Sequence, residues 1–432
     1  MSGSDSNPRA LGGPFRKVFA ANLTSSLGDG IARTAAPLLA VQLTSDPLLV
    51  AGVAAVQLLP WLLFAIPAGI IVDSVDRRRA LAVANSVRTL LAVGLAALAF
   101  TGTLTIWWLF VIIFVYGLGE TVYDGAIRAV VPSLVPKVLL PKANGRIEAA
   151  EIVVQNFLSG PLTSLLFAVS VLIPLGVNAA AFAVAAILAL LLPRAASGRQ
   201  FSEPSSQRRE PWHRALADGF RFIFARRVLV ILLLLSTFVG LWVATPMAGF
   251  VLFLTDGLGL PAPLFGVFLL CGAVGAIVGS FLASPVASRF RTGPTMAVAN
   301  LVAVVPLVAI GLFPSLWVAG LGFFVSSLGL TVWNVLVISL RQSIIPGRLL
   351  GRVHGSWRTV LWGSAPIGAL IGGLLARIDL ALPWIVGGVA ATLAGVAFFV
   401  FLARLPNPED VDNGDDTPRV SDPGPTDPSV FD

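Results

Sequence analysis

The chain has 432 residues, of which 56% are hydrophobic and only 12% are charged. A water-soluble fold of this size could not present that balance to solvent without aggregating, so the lipid bilayer is the expected solvent. A single cysteine and two histidines exclude a disulfide within one chain and leave metal catalysis without a plausible ligand set. The formal net charge is +7. No basic face is interleaved with aromatic residues, so we interpret this charge as topology and attraction to anionic lipids, and we expect no nucleic-acid partner.

Apolar stretches recur along the chain, separated by charged residues, Pro and Gly, or polar clusters. A helix needs ~20 mainly apolar residues to cross the hydrocarbon layer of a membrane. Twelve stretches qualify: 15–42, 48–72, 80–101, 106–133, 146–168, 172–193, 228–255, 263–287, 295–313, 316–345, 352–376 and 382–404. The sequence therefore predicts an all-α integral membrane protein with twelve transmembrane helices.

Lys and Arg fall almost entirely on one side of this twelve-helix arrangement. The other side holds only Arg377. Because cationic loops are retained in the cytoplasm, the asymmetry predicts a multi-pass protein of the cell (plasma) membrane with both termini cytoplasmic.

Composition divides the chain into five parts. A polar stretch separates the first six helices from the last six, and after it Trp212, Leu216, Phe220 and Ile223 recur at the spacing of a helix lying on the membrane surface. The C-terminal tail is rich in Asp and Pro, which predicts disorder. The predicted parts are a disordered N-terminus (1–14), a six-helix bundle (15–193), a cytoplasmic linker with an amphipathic helix (194–227), a second six-helix bundle (228–404) and a disordered acidic tail (405–432).

The two predicted bundles resemble each other in sequence. Residues 118–124 (LGETVYD) align with residues 328–334 (LGLTVWN), and Pro136 aligns with Pro346 at the same offset. Matches in the same order and direction indicate two parallel six-helix pseudo-repeats. Two like bundles joined by a flexible linker can rock about a central cavity, as alternating access requires, so transport is the leading functional class.

The loop between the second and third stretches carries the most informative motif. Residues 69–78 read GIIVDSVDRR and resemble the loop signature Gly-x-x-x-Asp-Arg-x-Gly-Arg-Arg of the major facilitator superfamily, with Ser74 and Asp76 in place of the Arg and the Gly. Asn22 and the short motifs at 28–30 (GDG), 60–62 (PWL) and 132–136 (PSLVP) are similar to the branch that contains the enterobactin exporter and actinobacterial multidrug efflux pumps. The resemblance covers residues 15–404 and implies the major facilitator fold.

In that superfamily the loop is a cytoplasmic latch, whose Asp is stabilised by a helix N-terminus and a basic partner. The resemblance implies this role for Gly69, Asp73, Asp76, Arg77 and Arg78. The alternative interpretation is that these charges only set the topology. The corresponding loop of the second half, residues 288–291, has no carboxylate, so the resemblance implies a latch in the first half alone.

Glycine and proline in the fifth and eleventh stretches predict helix bends. Exporters of the superfamily often carry Gly-Pro followed by Gly-Gly in the fifth helix, and here Gly160 and Pro161 are followed by Ser164 and Leu165. Pro366 marks the corresponding part of the second half. Close helix packing around a proline kink explains both without assigning a direction of transport.

Charged residues inside the apolar stretches carry a sharper hypothesis, because an unpaired charge at mid-bilayer costs on the order of 3 kcal/mol or more. Asp29 and Arg33 lie four residues apart on the first stretch and hence on one helical face. Glu120, Asp124 and Arg128 repeat every four residues on the fourth stretch, which forms an acidic stripe with a basic end. The other charges of this kind are Arg88 in the third stretch, Glu148 and Glu151 in the fifth, and Arg358 in the eleventh.

A proton-coupled pump needs a buried carboxylate that gains and loses a proton as the protein opens to either side. Asp29 beside Arg33 meets that need, and so do Glu120 and Asp124 near Arg128. Static salt bridges between helices are the alternative interpretation of the same residues.

A cavity for drug-like cargo is expected to be apolar with a few polar groups. Candidate lining residues are Gln57, Trp61, Phe64, Trp242, Phe268, Trp333, Asn334 and Trp357. Ordinary packing or a position in the membrane interface is the alternative interpretation of each aromatic residue.

These observations predict a secondary active transporter that exports amphiphilic small molecules, drugs or siderophores, in exchange for protons. No ATP-binding Gly-Lys-Ser/Thr loop is present and no cofactor is expected. The expected partners are an amphiphilic substrate, protons and membrane lipids, and we expect a monomer. The alternatives are a lipid translocase, a small-molecule importer of the same fold, and, remotely, an intramembrane aspartyl protease. The two aspartates of such a protease would correspond to residues 28–29 (GD) and 123–124 (YD), but the first motif lacks its leading glycine because Ser26 stands there.

Overall fold

The computed structural model describes residues 12–136, 139–197 and 212–410. All regular secondary structure in these ranges is helical. Most of the predicted disordered N-terminus, much of the predicted linker and most of the predicted acidic tail lie outside the described residues.

Twelve helices, some of them built from consecutive segments, coincide with the twelve predicted stretches, and we number them α1–α12. The first bundle contains α1 (Gly13–Leu43), α2 (Pro47–Ser74), α3 (Arg77–Phe100), α4 (Ile106–Leu134), α5 (Leu140–Ile152, Val153–Leu158 and Ser159–Val169) and α6 (Leu172–Leu190). The second contains α7 (Arg227–Ala248, Phe250–Leu252 and Phe253–Gly257), α8 (Ala262–Leu264, Phe265–Phe268 and Leu270–Phe290), α9 (Thr292–Leu312), α10 (Leu316–Ile344), α11 (Gly347–Ala376) and α12 (Leu382–Ala397 and Phe399–Ala403). A connecting helix, Trp212–Phe224, precedes α7.

Ten of the described helices are long and apolar enough to cross a membrane. The remaining two are α1, which carries buried polar side chains such as Ser25 and Asp29, and α12, which is interrupted after Ala397. The protein is therefore a multi-pass, all-α membrane protein.

The two bundles repeat one packing scheme. In the first bundle α1 packs against α6, α2 against α4, and α3 against both α4 and α6. In the second bundle α7 packs against α12, α8 against α10, and α9 against both α10 and α12. Each contact recurs with both helix numbers raised by six, as expected for a parallel repeat.

Hydroxyl caps occur at matching positions of the repeat. The Thr105 hydroxyl accepts a hydrogen bond from the backbone N–H of Trp108 (3.4 Å) and caps α4. The Ser315 hydroxyl accepts one from the backbone N–H of Val318 (3.3 Å) and caps α10. Such caps satisfy N–H groups that have no partner within the helix, so the sequence fixes where both helices begin.

Two faces of the molecule differ in how the bundles meet. On the terminal face, where α1 begins and α12 ends, each bundle has its own apolar core: one contains Phe15, Leu81 and Val130, and the other Leu229 and Leu340. Towards the opposite face a single core joins both bundles, and its members include Leu39, Leu109, Phe250, Leu307 and Trp384. The protein is thus sealed at the opposite face, whereas the bundles separate towards the terminal face.

Small residues allow close contact between the bundles where they are sealed. The backbone N–H of Gly266 in α8 donates to the Ser164 hydroxyl of α5 (2.8 Å), and a Cβ on Gly266 would overlap the carbonyl oxygen of Gly160. A Cβ on Gly373 in α11 would lie 2.8 Å from the Cβ of Ala51 in α2. In the repeat, α5 corresponds to α11 and α8 corresponds to α2. The α5–α8 and α2–α11 contacts are therefore equivalent.

An ion pair closes the opposite face outside the membrane-spanning segments. Arg377, which follows α11, donates from Nε to Oδ1 of Asp46 (2.7 Å) and from Nη2 to Oδ2 (2.5 Å). Asp46 lies between α1 and α2, so this bidentate pair joins the two bundles. These hydrogen bonds hold the pKa of the Asp46 carboxyl below its ordinary value and raise the pKa of Arg377.

The predicted bend residues lie beside an irregular turn. Residues Val153–Leu158 of α5 form a π-helical turn, and the N–H of Ser159 bonds to the carbonyl of Val154. Pro161 follows within one turn and has no N–H to donate, which favours irregular backbone here. Pro366 lies inside α11.

Candidate functional site

A cavity of about 1050 Å³ lies within the membrane region. Its walls come from α1 to α6 of the first bundle, the connecting helix and α11 of the second bundle. From the second bundle the described lining residues are Gly355, Arg358, Thr359 and Trp362. The first bundle therefore forms most of the wall.

The cavity is apolar at one end and charged at the other. Leu39, Leu109 and Ile112 line it close to the ends of α1 and α4 that lie at the opposite face. Asp124, Arg128, Glu148 and Arg358 line it closer to the terminal face. An amphiphilic molecule matches this gradient, because apolar atoms gain from burial and charged groups need partners.

Asp29 forms a buried ion pair with Arg88 behind the cavity wall. Arg88 Nη1 donates to Asp29 Oδ1 (2.6 Å), and the two side chains are 0% and 6% exposed. Arg88 Nη2 donates to Asn85 Oδ1 (2.8 Å) and to the Ser25 hydroxyl (3.3 Å). The prediction that Asp29 uses Arg33 on its own helix as partner is therefore wrong, because α3 supplies a closer guanidinium.

Aromatic rings surround the Arg88 guanidinium. Its carbon lies 4.7 Å from the ring centroid of Phe182, 4.8 Å from Tyr123 and 5.7 Å from Tyr116. Cation–π attraction in such a site is worth ~2 kcal/mol or more when the cation is desolvated. The rings therefore offset part of the cost of removing Arg88 from water.

Tyr116 connects this buried pair to the cavity. Its hydroxyl donates to Asp29 Oδ1 (3.0 Å), and Tyr116 also lines the cavity. Asp29 itself is buried, and the hydroxyl that bonds its carboxylate belongs to a residue of the cavity wall.

Arg33 pairs with Glu120 on the cavity wall. Arg33 Nη2 donates to Glu120 Oε1 (2.7 Å), and Nη1 donates to Gln155 Oε1 (3.3 Å). The Arg33 side chain is 54% exposed and that of Glu120 is 12% exposed, and both line the cavity. The pair joins α1 to α4 within the first bundle.

The remaining charged residues of the fourth helix behave differently from the prediction. Glu120 pairs with Arg33, so Arg128 is not its partner. Among the described residues, Asp124 and Arg128 form no ion pair within 4.0 Å, although they lie four residues apart. Glu148 lines the cavity, whereas Glu151 accepts a hydrogen bond from the Asn22 amide (2.7 Å).

Two of the eight predicted cavity residues, Gln57 and Trp61, line the observed cavity. Trp333 and Trp357 are instead buried in the core of the second bundle, and Trp357 lies 4.2 Å below the Arg341 guanidinium. The other four predicted residues, Phe64, Trp242, Phe268 and Asn334, are also not among the described lining residues. Trp242 packs edge-on against Phe238, Phe268 against Phe250 and Phe64 against Phe114, and Asn334 is exposed.

The predicted latch is described only in part. The backbone of Gly69 and Asp73 belongs to α2, but the burial and contacts of these two residues lie outside what the structure describes. Asp76 accepts a hydrogen bond from the backbone N–H of Arg78 (3.0 Å) and caps α3. Arg77 donates from Nη1 to the carbonyl of Ala129 in α4 (3.0 Å), which fastens this loop to its own bundle.

Sequence reasoning missed Asn85 and Tyr116. Asn85 lies three residues before Arg88, and Tyr116 lies four before Glu120, so each shares a helical face with a residue that was singled out. A polar residue three or four positions from a charge inside an apolar stretch is therefore the sequence signal that identifies Asn85 and Tyr116.

Fold and site together define a membrane transporter built from two helical bundles around a central cavity. The chain belongs to the transmembrane secretion effector family of the major facilitator superfamily, whose family model matches residues 11–424.

Its relatives of known name are distant. The enterobactin exporter of Escherichia coli O1:K1 is 27% identical over 208 residues, which are 47% of this chain and 48% of that protein, so the match spans about half of either protein. Macrolide efflux protein A of Streptococcus pyogenes is 22% identical over 373 residues, which cover 84% of this chain and 89% of that protein.

Solved transporters share the fold. The nucleoside transporter NupG superposes with a TM-score of 0.71 at 13% identity and covers 91% of this chain and 100% of its own. A bacterial homologue of the iron transporter ferroportin, in an inward-facing state, gives a TM-score of 0.70 at 18% identity over 91% of this chain and 99% of its own. At these identities the likeness shows the fold alone.

Proposed function

We propose that the protein exports amphiphilic small molecules across the plasma membrane in exchange for protons, by alternating access. The observation that carries the proposal is the cavity itself, which is apolar towards the sealed face and charged towards the terminal face. With both termini in the cytoplasm, as the distribution of Lys and Arg predicts, this state would receive substrate from the cytoplasm.

The size and lining of the cavity support an amphiphilic cargo. At about 1050 Å³ it is slightly larger than the ~300–1,000 Å³ that is typical of sites for drug-sized ligands. Two named relatives are an enterobactin exporter and a macrolide efflux protein, and both names describe export of a small molecule. Export is therefore the proposed direction.

Proton coupling is proposed at Asp29, with Glu120 as a second site. Asp29 is the counter-charge of Arg88 in an environment that contains little water. Protonation of its carboxylate there changes the electrostatic energy of the ion pair by several kcal/mol. Tyr116 and the cavity provide a short route for that proton. Protonation of Asp29 would weaken its pair with Arg88. Opening of the protein to one face or the other would then alternate Asp29 between its protonated and its ionised form.

Everted membrane vesicles energised with a proton gradient test the proposal. Asp29→Asn should abolish accumulation of an amphiphilic dye when uptake is expressed per amount of folded protein in the membrane, an amount that should itself fall because the buried Arg88 loses its counter-charge. Glu409→Gln, which neutralises an exposed carboxylate at the end of the described chain, is the matched control and should transport normally.

Normal pumping by Asp29→Asn would contradict the coupling assignment. Movement of labelled lipid without a gradient would instead favour a lipid translocase. Dye accumulation only in right-side-out vesicles would favour an importer.

A further inference from the structure

Two arginines and two carboxylates line the charged end of the cavity. Arg128 and Asp124 lie on α4, Glu148 lies on α5 and Arg358 lies on α11, and all four line the cavity. Within the part of the chain that the structure describes, none of them forms an ion pair within 4.0 Å, unlike Arg33 and Glu120 deeper in the same cavity. Arg128, Glu148 and Arg358 are exposed, so water solvates them in this state and a substrate entering the cavity can offer them counter-charges.

The arrangement is electrically balanced across the two bundles. Arg358 is the one described charge that the second bundle contributes to the lining, and the charged groups acting on it are Arg128 and Asp124 of the first bundle. His354 lies one turn earlier on α11 and is also close enough to interact with Arg358. Two cations and two anions remain after the Arg33–Glu120 pair is set aside.

We propose that this end of the cavity binds the head of a zwitterionic amphiphile. An anionic oxygen group of the substrate lies between Arg128 and Arg358, because guanidinium groups bind carboxylate and phosphate oxygens with two hydrogen bonds. A cationic group of the same substrate faces Asp124 and Glu148. A purely cationic or purely anionic molecule satisfies one pair and leaves the other without a counter-charge.

The apolar part of the substrate lies deeper. Trp61 of α2 and Trp362 of α11 line the cavity from different bundles, and Leu62 and Ile112 lie with them on the wall. Flat apolar groups gain most from contact with such aromatic walls. A substrate held in this way touches both bundles at once, through its head at Arg128 and Arg358 and through its body at the two tryptophans.

Three fluorescent xanthene dyes test the inference on the purified full-length protein. Rhodamine B carries a cation and a carboxylate, its ethyl ester carries the cation alone, and fluorescein carries anionic groups alone. Binding is measured by fluorescence polarisation without a proton gradient. Rhodamine B should bind on the order of tenfold more tightly than its ester, as the gain of a charge-assisted contact requires.

Variants assign that preference to the named residues. Arg358→Gln should remove the preference for rhodamine B over the ester, and Arg358→Lys should restore part of it because it retains the charge. Asp124→Asn should weaken binding of rhodamine B and of the ester alike. Arg289→Gln, at the exposed end of α8 and outside the described lining, is the control and should leave the preference unchanged.

Equal binding of rhodamine B and its ester, tighter binding of fluorescein than of rhodamine B, or an unchanged preference in Arg358→Gln would overturn the inference. The proposal extends the proposed function by naming its substrate class, and the two fail separately. Selective binding without proton-driven uptake contradicts the export proposal alone, whereas proton-driven uptake without selectivity contradicts this inference alone.

Discussion

The two bundles share a packing scheme but differ in what their cores contain. The interior of the first bundle holds the Asp29–Arg88 pair, its hydrogen-bond partners and the Arg33–Glu120 pair. The interior of the second bundle holds an apolar cluster that includes Trp333 and Trp357, and its buried Arg341 contacts His354 (3.3 Å) instead of a carboxylate. Within the described residues, the repeated scaffold therefore carries both of these acid–base pairs in the first bundle.

Aligned positions show where the difference arose. Residues 118–124 and 328–334 align, so Leu330 occupies the position of Glu120 and Asn334 that of Asp124. Residues 84–88 (ANSVR) align with 299–303 (ANLVA), which places Ala303 opposite Arg88. Helix packing survives these exchanges because it depends on shape, whereas the electrostatic network depends on the charges themselves.

Converting the first bundle to the apolar character of the second should have the largest effect. Arg88→Met leaves Asp29 buried without its partner, which should destabilise the protein by ~3–5 kcal/mol. Asp29→Leu combined with Arg88→Met should recover most of the stability, because an apolar pair of similar volume replaces the ion pair, but should not transport against a proton gradient. Thermal unfolding in detergent and uptake by vesicles measure the two outcomes. Active transport by the double variant would show that this pair is dispensable.

Glu120→Leu, which introduces the residue of the second bundle, should impair transport more than stability. Arg33 is largely exposed to the cavity, so losing the ion pair should cost ~1 kcal/mol or less in stability. Glu120→Gln retains a hydrogen-bond acceptor for Arg33 and separates the role of the charge from that of the contact. If both variants take up substrate at the rate of the unchanged protein, Glu120 does not take part in coupling.

Gly266→Ala tests the contact between the bundles. The added methyl group would overlap the carbonyl oxygen of Gly160, and such overpacking costs ~1–3 kcal/mol. It should weaken the sealed state and increase the labelling of cysteines introduced near the opposite face, in a background where Cys271 is replaced. Gly176→Ala is the control, since a Cβ there meets no atom within 4 Å. Equal labelling of the two variants would show that the α5–α8 contact does not hold the bundles together.

Removing the ion pair at the opposite face should have the smallest effect, because both side chains are partly exposed and solvent screens them. The pKa of Asp46 is lowered in the folded protein, so the contribution is present above the ordinary pKa of the carboxyl and is lost as pH falls through the lowered value. Asp46→Asn and Arg377→Gln should each increase cysteine labelling at this face slightly at neutral pH, and the double variant should add nothing further. Additive effects would show that the two residues act independently.

Much of the fold was predictable because its causes are local. The apolar stretch 106–133 corresponds to α4, Ile106–Leu134, and the stretch 316–345 corresponds to α10, Leu316–Ile344. The length of the apolar stretch determines the length of each helix, and the capping residues Thr105 and Ser315 fix where the two helices begin. The site was predictable as a set of charges, since a charge inside an apolar stretch is conspicuous in sequence.

The partners of those charges were not predictable in the same way. Spacing on one helix favoured Arg33 for Asp29, yet the structure joins Asp29 to Arg88, which lies 59 residues away in sequence. Helical periodicity also cannot distinguish a tryptophan that faces a cavity from one that faces a core, so Trp61 lines the cavity whereas Trp333 is 4% exposed within an apolar cluster.

The sequence by itself determined that this chain crosses the membrane repeatedly as two related helical bundles, because transfer of apolar residues into lipid depends on composition and length alone. Only the tertiary structure decided which acid meets which base, which face is sealed, and that the cavity belongs mainly to the first bundle. Those outcomes depend on distances between helices that are far apart in the chain, and electrostatic energies and close packing respond to those distances.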